Sequence, residues 1–273
     1  MSRQSDPRQK RQVAIIGYGA IGAEVSNRLQ EDPDVTLAAV LVRPARVAET
    51  RALLGPGVCV AASPEELPGD IDFVLECAGH AAVHDVAPRV LHRGIDVGIL
   101  SAGALADPAT LDQLQTAARA GHAQASVLPG AIGGIDALGA AQGGIDSVEY
   151  SGRKAPQAWQ GTPAEDMCDL ATLEKPEAFF TGSAREAAHL FQKNANVVAT
   201  VALAAVGFDR TRVTLIADPG ATANTHRIQA EGPAVAVDYS TTGKPLASNP
   251  KTSALTALSA LRALRNRGRL IRI

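Results

Sequence analysis

The chain has 273 residues, of which 46% are hydrophobic and 20% charged, a balance typical of folded globular proteins with one large domain or two modest ones. The chain has 26 Lys and Arg residues and 28 Asp and Glu residues. This near-neutral balance excludes the excess of positive charge that is typical of nucleic-acid-binding proteins. The three cysteines Cys59, Cys77 and Cys168 are too widely spaced for a zinc ribbon, so we expect no metal, and they favour a reduced, cytoplasmic protein over a disulfide framework.

Targeting and membrane segments are not evident in the sequence. Residues 1–12 are polar and basic and have no apolar core of the kind found in secretory signals. The longest apolar stretch, 195–208, is interrupted by Asn196 and Thr200. We therefore expect no membrane partner.

The first half of the chain alternates short apolar runs with helical segments, at the spacing of βαβ units. The runs are almost continuously apolar, as in strands of a parallel sheet that is covered on both faces. The predicted strands are 13–16, 35–42, 58–62, 72–76, 95–100 and 124–128, and the predicted helices are 20–31, 80–93 and 108–121. This pattern predicts an α/β first domain over residues 1–125, a Rossmann-type doubly wound parallel sheet.

After Pro129 the pattern changes to glycine-rich segments and strands of alternating character. Such strands are typical of a mostly antiparallel sheet with one buried face. The predicted strands are 147–153, 179–181, 212–217, 224–230 and 234–240; the predicted helices are 184–207, with a break near 194–196, and 252–266. We predict an α+β second domain over 126–250 that also forms a dimer face, and a C-terminal helix, 251–273, that packs back on the first domain.

The segment Gly17-Tyr18-Gly19-Ala20-Ile21-Gly22 follows the first predicted strand and opens a helix. In that context the spacing G-x-G-x-x-G indicates a dinucleotide site, because the glycines permit a tight turn, close approach of the pyrophosphate and close packing of helix and strand. We predict that the dinucleotide is bound by Gly17, Gly19, Ala20, Ile21 and Gly22.

The choice of dinucleotide depends on the end of the second strand. An acidic residue there would accept the ribose 2′-hydroxyl of NAD, but this chain has Arg43 and Arg46, which suit a 2′-phosphate. We therefore expect NADP to be accepted alongside NAD. The fourth and fifth strands end at the same crevice, where we expect Cys77, Ala78 and Ser101 to contact the cofactor.

His226 is the strongest candidate for acid–base chemistry among the six histidines. It lies in an alternating strand, on the same face as Asn224 and Ile228. Polar residues on a face that should be buried are typical of functional sites, and histidine titrates near neutral pH.

Tyr150 and Lys154 match the Y-x-x-x-K motif of short-chain dehydrogenases. That motif needs a helix, whereas residues 147–153 are predicted to form a strand, in which residues four apart are separated by about 13 Å. We interpret the match as coincidental.

Several uncommon segments occur in one order along nearly the whole chain. They are Gly17–Gly22, Pro129–Ala137, Gly182–Ala188, Lys193–Val197, Ala217–Pro219, Asn224–His226 and Asn249–Ser253. In these segments the sequence resembles the L-aspartate dehydrogenases, which are related in fold to homoserine dehydrogenase and dihydrodipicolinate reductase.

The resemblance implies NAD- or NADP-dependent oxidative deamination of L-aspartate to oxaloacetate and ammonia through iminoaspartate, which can feed NAD biosynthesis. It implies that His226 is the catalytic histidine and that Ala131 and Asn196 contact the cofactor. An asparagine amide offers both the donor and the acceptor that a nicotinamide carboxamide needs.

A dicarboxylate substrate needs cationic or multi-donor anchors, because an unpaired buried carboxylate is costly. Our candidates are Lys193, beside Asn196, the pair Asn224 and Thr225, beside His226, and Lys251, just before the last helix. We expect the protein to form a homodimer.

Two other functions fit the same architecture. One is a phosphorylating aldehyde dehydrogenase with Cys77 or Cys168 as its nucleophile. The other is a dinucleotide sensor without catalytic activity, because a fold alone does not determine chemistry.

Overall fold

The computed structural model describes residues 10–271, apart from the side chains of Lys193, Pro250 and Lys251. The chain divides into two compact units. The first contains the chain through Ser101, then Ala109–Leu128, then the chain from Ala257; the second contains Ala102–Pro108 and Pro129–Thr256. The boundaries predicted at 125 and 250 therefore lie a few residues early. The sequence pattern also assigned 102–108 to the wrong unit, because a short segment that crosses between units leaves no periodic signal.

The first unit is built on six parallel strands in the order β3-β2-β1-β4-β5-β6. The strands are β1 (Arg11–Ile16), β2 (Val35–Leu41), β3 (Cys59–Ala61), β4 (Phe73–Glu76), β5 (Asp96–Ile99) and β6 (Ala125–Val127). All six were predicted. The central residues of β1, β2, β3, β4 and β5 are mostly buried, which explains their continuous apolar runs, whereas β6, at one edge of the sheet, has exposed residues.

Five helices accompany these strands along the chain. They are α1 (Ala20–Leu29), α2 (Val47–Leu54), α3 (His80–Asp85), α4 (Ala87–His92) and α5 (Pro108–Gly121). The sequence did not predict α2. It predicted one helix over 80–93, where two are present. Pro88 lies in the first turn of α4, where its missing N–H costs no helical hydrogen bond, so the second helix begins just before it.

The second unit contains a five-stranded sheet in the order β11-β10-β7-β9-β8. Its strands are β7 (Ser147–Lys154), β8 (Glu177–Ser183), β9 (Thr211–Ala217), β10 (Asn224–Glu231) and β11 (Ala236–Gly243), followed by a separate hairpin of β12 (Pro245–Leu246) and β13 (Asn249–Ser253). Only β7 and β9 pair in parallel. The prediction of an α/β first domain with a mostly antiparallel second sheet is confirmed.

Three helices belong to the second unit: α6 (Ile135–Ala140), α7 (Ala184–Leu190) and α8 (Ala195–Ala204). A capping box starts α7: Ser183 accepts from the backbone of Glu186, whose carboxylate accepts from the backbone of Ser183. The predicted break in the helical stretch 184–207 lies at Phe191–Asn194, slightly earlier than expected. Single 3₁₀ turns are formed by 44–46, 64–66, 102–106, 156–159, 163–166 and 192–194.

The last helix, α9 (Ala254–Gly268), completes the core of the first unit. Leu261 and Leu264 pack in one cluster with the central strands, together with Val13 and Leu75. Two ion pairs hold the end of α9 on this unit: Arg265 Nε to Asp32 Oδ2 at 2.6 Å and Arg267 Nη2 to Asp96 Oδ2 at 2.6 Å. Within residues 10–271, none of the helices is long and apolar enough to cross a membrane.

Candidate functional site

A cleft of about 600 Å³ opens at the carboxyl ends of β1, β2 and β4 in the first unit. Gly17, Gly19, Arg43, Cys77 and Ala78 all line it. These residues were singled out at three separate places in the sequence, and the parallel sheet brings them together because its strands end along one edge. Ala20, Ile21 and Gly22 form the first turn of α1 beside it.

The glycine loop has the geometry that a dinucleotide requires. Gly17 has a φ of +97°, and a Cβ there would lie 2.8 Å from the Cβ of Ala78. A Cβ on Gly22 would lie 2.3 Å from the carbonyl oxygen of Gly17. A Cβ on Gly19 meets no atom within 4 Å, so space remains where a pyrophosphate approaches the backbone. The residues present therefore fit NAD or NADP, with the pyrophosphate at the start of α1.

The two arginines after β2 differ in their pairing. Arg46 is bound to Glu49, with Nε 2.6 Å from Oε2. Arg43 is exposed on the cleft wall, and none of the ion pairs among residues 10–271 involves it. Arg43 is therefore the cation at the cleft that remains available for a phosphate.

Neither candidate cysteine has the environment of a nucleophile. The Cys77 thiol donates to the carbonyl oxygen of Ile16 at 3.3 Å, and burial raises its pKa. The Cys168 thiol donates to the carbonyl oxygen of Ala164 at 3.7 Å, and its pKa is also raised, by desolvation first and then by nearby carboxylates. Reactive cysteines need a lowered pKa, so the geometry does not favour the aldehyde dehydrogenase alternative.

Glu76, the last residue of β4, was not singled out by the sequence analysis. Its fully buried carboxylate accepts four hydrogen bonds: from the backbone of Ala78 and Gly79, and from both the backbone and the hydroxyl of Ser101, at 2.8–3.0 Å. Burial raises the pKa of Glu76, and these four donors act in the opposite direction. Ser101 is thus buried on Glu76 and does not line the cleft wall. Together they join the loops that follow β4 and β5.

His226 lies on the buried face of β10, as the alternating pattern predicted, and is only 4% exposed. Its Nδ1 lies 2.7 Å from the hydroxyl oxygen of Tyr150 on the neighbouring strand β7. The residue directly opposite His226 is Gly152, and a Cβ there would lie 2.8 Å from the Tyr150 hydroxyl. The absence of a side chain at Gly152 therefore lets the phenol reach the imidazole.

The environment keeps His226 neutral. Burial, and secondarily the positive charge of Lys154, lower the pKa of His226 to about 3. Burial also raises the pKa of Tyr150, so its hydroxyl keeps its proton. A neutral imidazole has one free nitrogen lone pair, and the partner of Nδ1 determines which nitrogen carries it.

Lys154 is the last residue of β7. Its ammonium donates a hydrogen bond to Oδ1 of Asn194 and lies 4.9 Å from the centroid of the Trp159 ring. Although the residue keeps some exposed surface, burial lowers the pKa of Lys154 to about 8. The sequence analysis considered Lys154 only as part of the Y-x-x-x-K match and did not place it near His226.

Two predicted cofactor contacts lie in the second unit. Ala131 is buried in the loop that precedes α6. Asn196 lies in the first turn of α8, where its Oδ1 accepts from the backbone N–H of Gly103 at 3.0 Å. That bond ties the 3₁₀ turn at 102–106 to α8. Their contact with the cofactor stays a prediction.

Of the predicted substrate anchors, Asn224 and Thr225 begin β10 and are half-buried. Asn224 shares its face with His226, whereas Thr225 lies on the opposite face. The side chains of Lys193 and Lys251 lie outside the described residues, so their role stays a prediction.

The prediction that Tyr150 and Lys154 belong to a strand is correct, so the match to the short-chain dehydrogenase motif, which needs a helix, is coincidental. The sequence analysis did not foresee that the two residues lie near His226. Both residues stand near His226 because β7 pairs with β10. In the part of the chain that the structure describes, no three His, Cys, Asp or Glu side chains form a group that could hold a metal ion.

Known proteins resemble the chain in both units. The family model described as aspartate dehydrogenase, C-terminal, matches residues 136–267, and that described as homoserine dehydrogenase, NAD binding domain, matches residues 17–127. The chain is 46% identical to L-aspartate dehydrogenase of Ralstonia pickettii and 47% identical to that of Pseudomonas aeruginosa, with 96% of this chain and 99% of each relative covered.

The crystal structure of aspartate dehydrogenase from Thermotoga maritima superposes with a TM-score of 0.77 at 26% identity, covering 97% of this chain and 100% of that one. The resemblance found in the sequence is therefore confirmed. With such identity over nearly the full length of its relatives, the chain belongs to the aspartate dehydrogenase family.

Proposed function

We propose that the protein oxidatively deaminates L-aspartate to oxaloacetate and ammonia through iminoaspartate, with NAD or NADP. The observation that carries this proposal is a buried, neutral imidazole, His226, hydrogen-bonded to Tyr150 and standing beside the cation of Lys154. A neutral base can take a proton from the attacking water, and a fixed positive charge attracts the carboxylates of an anionic amino-acid substrate.

Each residue has a distinct part in this reaction. The bound nicotinamide supplies the hydride acceptor. His226 takes a proton from the water that attacks the carbon of the protonated imine, and returns it to nitrogen. As the C–N bond breaks and ammonia leaves, the new hydroxyl group gives its proton to His226 and becomes the carbonyl of oxaloacetate. For Nε2 to act as the base, Nδ1 must carry the ring proton and donate it to the Tyr150 oxygen, and in that tautomer Tyr150 orients the imidazole.

The cofactor is held by the first unit. The open space at Gly19 and the start of α1 support binding of the pyrophosphate there. The exposed guanidinium of Arg43 supports acceptance of a 2′-phosphate, and hence of NADP as well as NAD. We assign Ala131 and Asn196 to the nicotinamide end.

The test is to follow reduced-cofactor absorbance with L-aspartate, L-glutamate, L-alanine and L-homoserine in parallel. We expect turnover with L-aspartate, and a fall of about 10²–10⁴-fold in kcat for His226→Ala, with the Kd of NADH unchanged. His189→Ala, which removes an exposed histidine, is the matched control. No reduction with any amino acid, despite tight NADH binding, would instead favour the sensor function.

We further infer a homodimer that uses the second sheet. The edge strand β11 supports this, because most of its residues, including Tyr239, are exposed. Light scattering at micromolar concentration should give twice the mass of one chain; the mass of a single chain at that concentration would contradict the dimer.

We also propose that the enzyme works in the cytoplasm and supplies iminoaspartate to NAD biosynthesis. The three cysteines are all free thiols, which supports a reducing compartment. Restored growth without nicotinate in a host that lacks its own source of iminoaspartate would support the biosynthetic role, and failure of an active, expressed enzyme to restore growth would contradict it.

A further inference from the structure

One face of the second sheet changes from apolar to polar along its length. Tyr150 stands opposite Ile228, and Gly152 stands opposite His226. One more step along the same face, β7 ends at Lys154. The imidazole therefore lies between an apolar end of this face and an end that carries a cation.

Lys154 lacks the partner that buried cations usually have. Its ammonium contacts two neutral groups, the amide oxygen of Asn194 and the ring of Trp159. No carboxylate within the described residues forms an ion pair with it. A desolvated charge without a counter-charge is costly to the folded protein, which is why burial lowers the pKa of Lys154.

Three arginines in the same unit form ion pairs with carboxylates. Arg153, adjacent in sequence but on the opposite face of β7, binds Asp218 at 3.1 Å. Arg185 and Arg227 bind Asp209 and Asp238 in the same way. Lys154, on the buried face that also carries His226, has no such carboxylate partner among the described residues.

We propose that Lys154 binds a carboxylate of the substrate and so holds the reacting carbon against His226. This inference rests on the proposed function and deepens it. A bound carboxylate also cancels the positive charge that disfavours the protonated imidazole. Substrate binding would then make His226 a stronger base at the moment when the reaction needs one.

The first test compares Lys154→Met with Arg153→Met, which removes the paired cation one residue away. We expect Lys154→Met to raise both the KM for L-aspartate and the Ki for succinate about 30-fold or more. The Kd of NADH should stay unchanged in both variants. Arg153→Met should leave KM and Ki within about twofold of the wild type, because Arg153 lies on the opposite face of β7 and its charge is already paired with Asp218.

A second test needs no substitution. Succinate has no group that titrates above neutral pH, and His226 stays neutral there, as does the Tyr150 phenol, whose pKa is raised. If the ammonium of Lys154 binds the dicarboxylate, the wild-type Ki for succinate should rise about tenfold per pH unit once the pH exceeds about 8. This test also applies if Lys154→Met does not fold.

These outcomes separate the two proposals. No turnover of L-aspartate by the wild type contradicts the proposed function. Turnover by the wild type, together with an unchanged KM and Ki in a folded Lys154→Met or a Ki for succinate that is flat between pH 7 and 10, overturns the role of Lys154 alone.

Discussion

The hydroxyl of Tyr150 lies 2.7 Å from Nδ1 of His226, across the pairing of β7 with β10. The two residues are 76 positions apart in the sequence. Both groups are buried, and this hydrogen bond orients the imidazole inside the protein.

Removing that hydroxyl should impair the base without removing it. We expect Tyr150→Phe to lower kcat about tenfold, the effect of one hydrogen bond of about 1.5 kcal/mol, with little change in the Kd of NADH. Steady-state kinetics with L-aspartate measure this. Tyr239→Phe, the same change at an exposed tyrosine, is the control. Equal kcat in Tyr150→Phe and wild type would contradict a role of Tyr150 in orienting the imidazole.

The neutral state of His226 should make the protein less stable in acid. The unfolded chain takes up a proton at this residue below about pH 6.5, whereas the folded protein does so only near its lowered pKa of about 3. The free energy of unfolding should therefore fall between pH 6.5 and 4, by up to about 1.4 kcal/mol per pH unit from this group.

Urea unfolding at several pH values tests this contribution. His226→Gln should show a shallower decline than the wild type in that pH range. His189→Gln, at an exposed histidine, should follow the wild type. If the free energy of unfolding falls equally with pH in His226→Gln and wild type, the imidazole is protonated in the folded state over this pH range.

Cofactor choice should depend on Arg43 and not on Arg46. Losing a charge-assisted hydrogen bond to the 2′-phosphate should raise the Kd of NADPH about tenfold or more in Arg43→Ala, while the Kd of NADH stays constant. Arg46→Ala should change neither, because Arg46 is already paired with Glu49. Fluorescence titration of both cofactors gives the four values. An equal increase in the Kd of NADPH and of NADH in Arg43→Ala would show that Arg43 supports the loop and does not contact the 2′-phosphate.

Glu76 should be needed for stability although it performs no chemistry. Glu76→Gln places an amide NH₂ against the backbone N–H of Ser101, so one acceptor is lost inside the protein. We expect a loss of about 1–3 kcal/mol in the free energy of unfolding. Glu149→Gln, at an exposed glutamate, should cost much less. Thermal or urea unfolding of the two variants and the wild type measures these losses. If Glu76→Gln is as stable as Glu149→Gln, the charge of Glu76 does not contribute to the stability of the fold.

Much of the first unit could be predicted from the sequence because its signals are local. The glycine segment is contiguous, and the strands are continuous apolar runs. Helix α2 was missed because the sequence around Arg43–Arg46 was assigned to a loop, and alanine-rich segments show weak helical periodicity. The segment 102–108, which the sequence pattern placed in the first domain, groups with the second unit.

The candidate site was harder to predict for a different reason. His226 was found because a histidine on a buried face breaks the alternating pattern. Tyr150 and Lys154 were identified through a motif that implies a helix and were then set aside, because a single sequence does not reveal which strands pair. Glu76 gave no signal at all, since a buried carboxylate is recognised only by the donors that surround it.

The place of α9 in the first unit has a consequence for how the protein is made. Leu261 and Leu264 are part of the core that surrounds β1, and Arg265 neutralises the nearly buried Asp32. During synthesis on a ribosome, the nucleotide-binding unit therefore emerges first but lacks part of its interior until residues 257–265 have followed. The apolar surface that α9 later covers is exposed while the whole second unit is synthesised. The first unit therefore begins to emerge before the second but is completed after it.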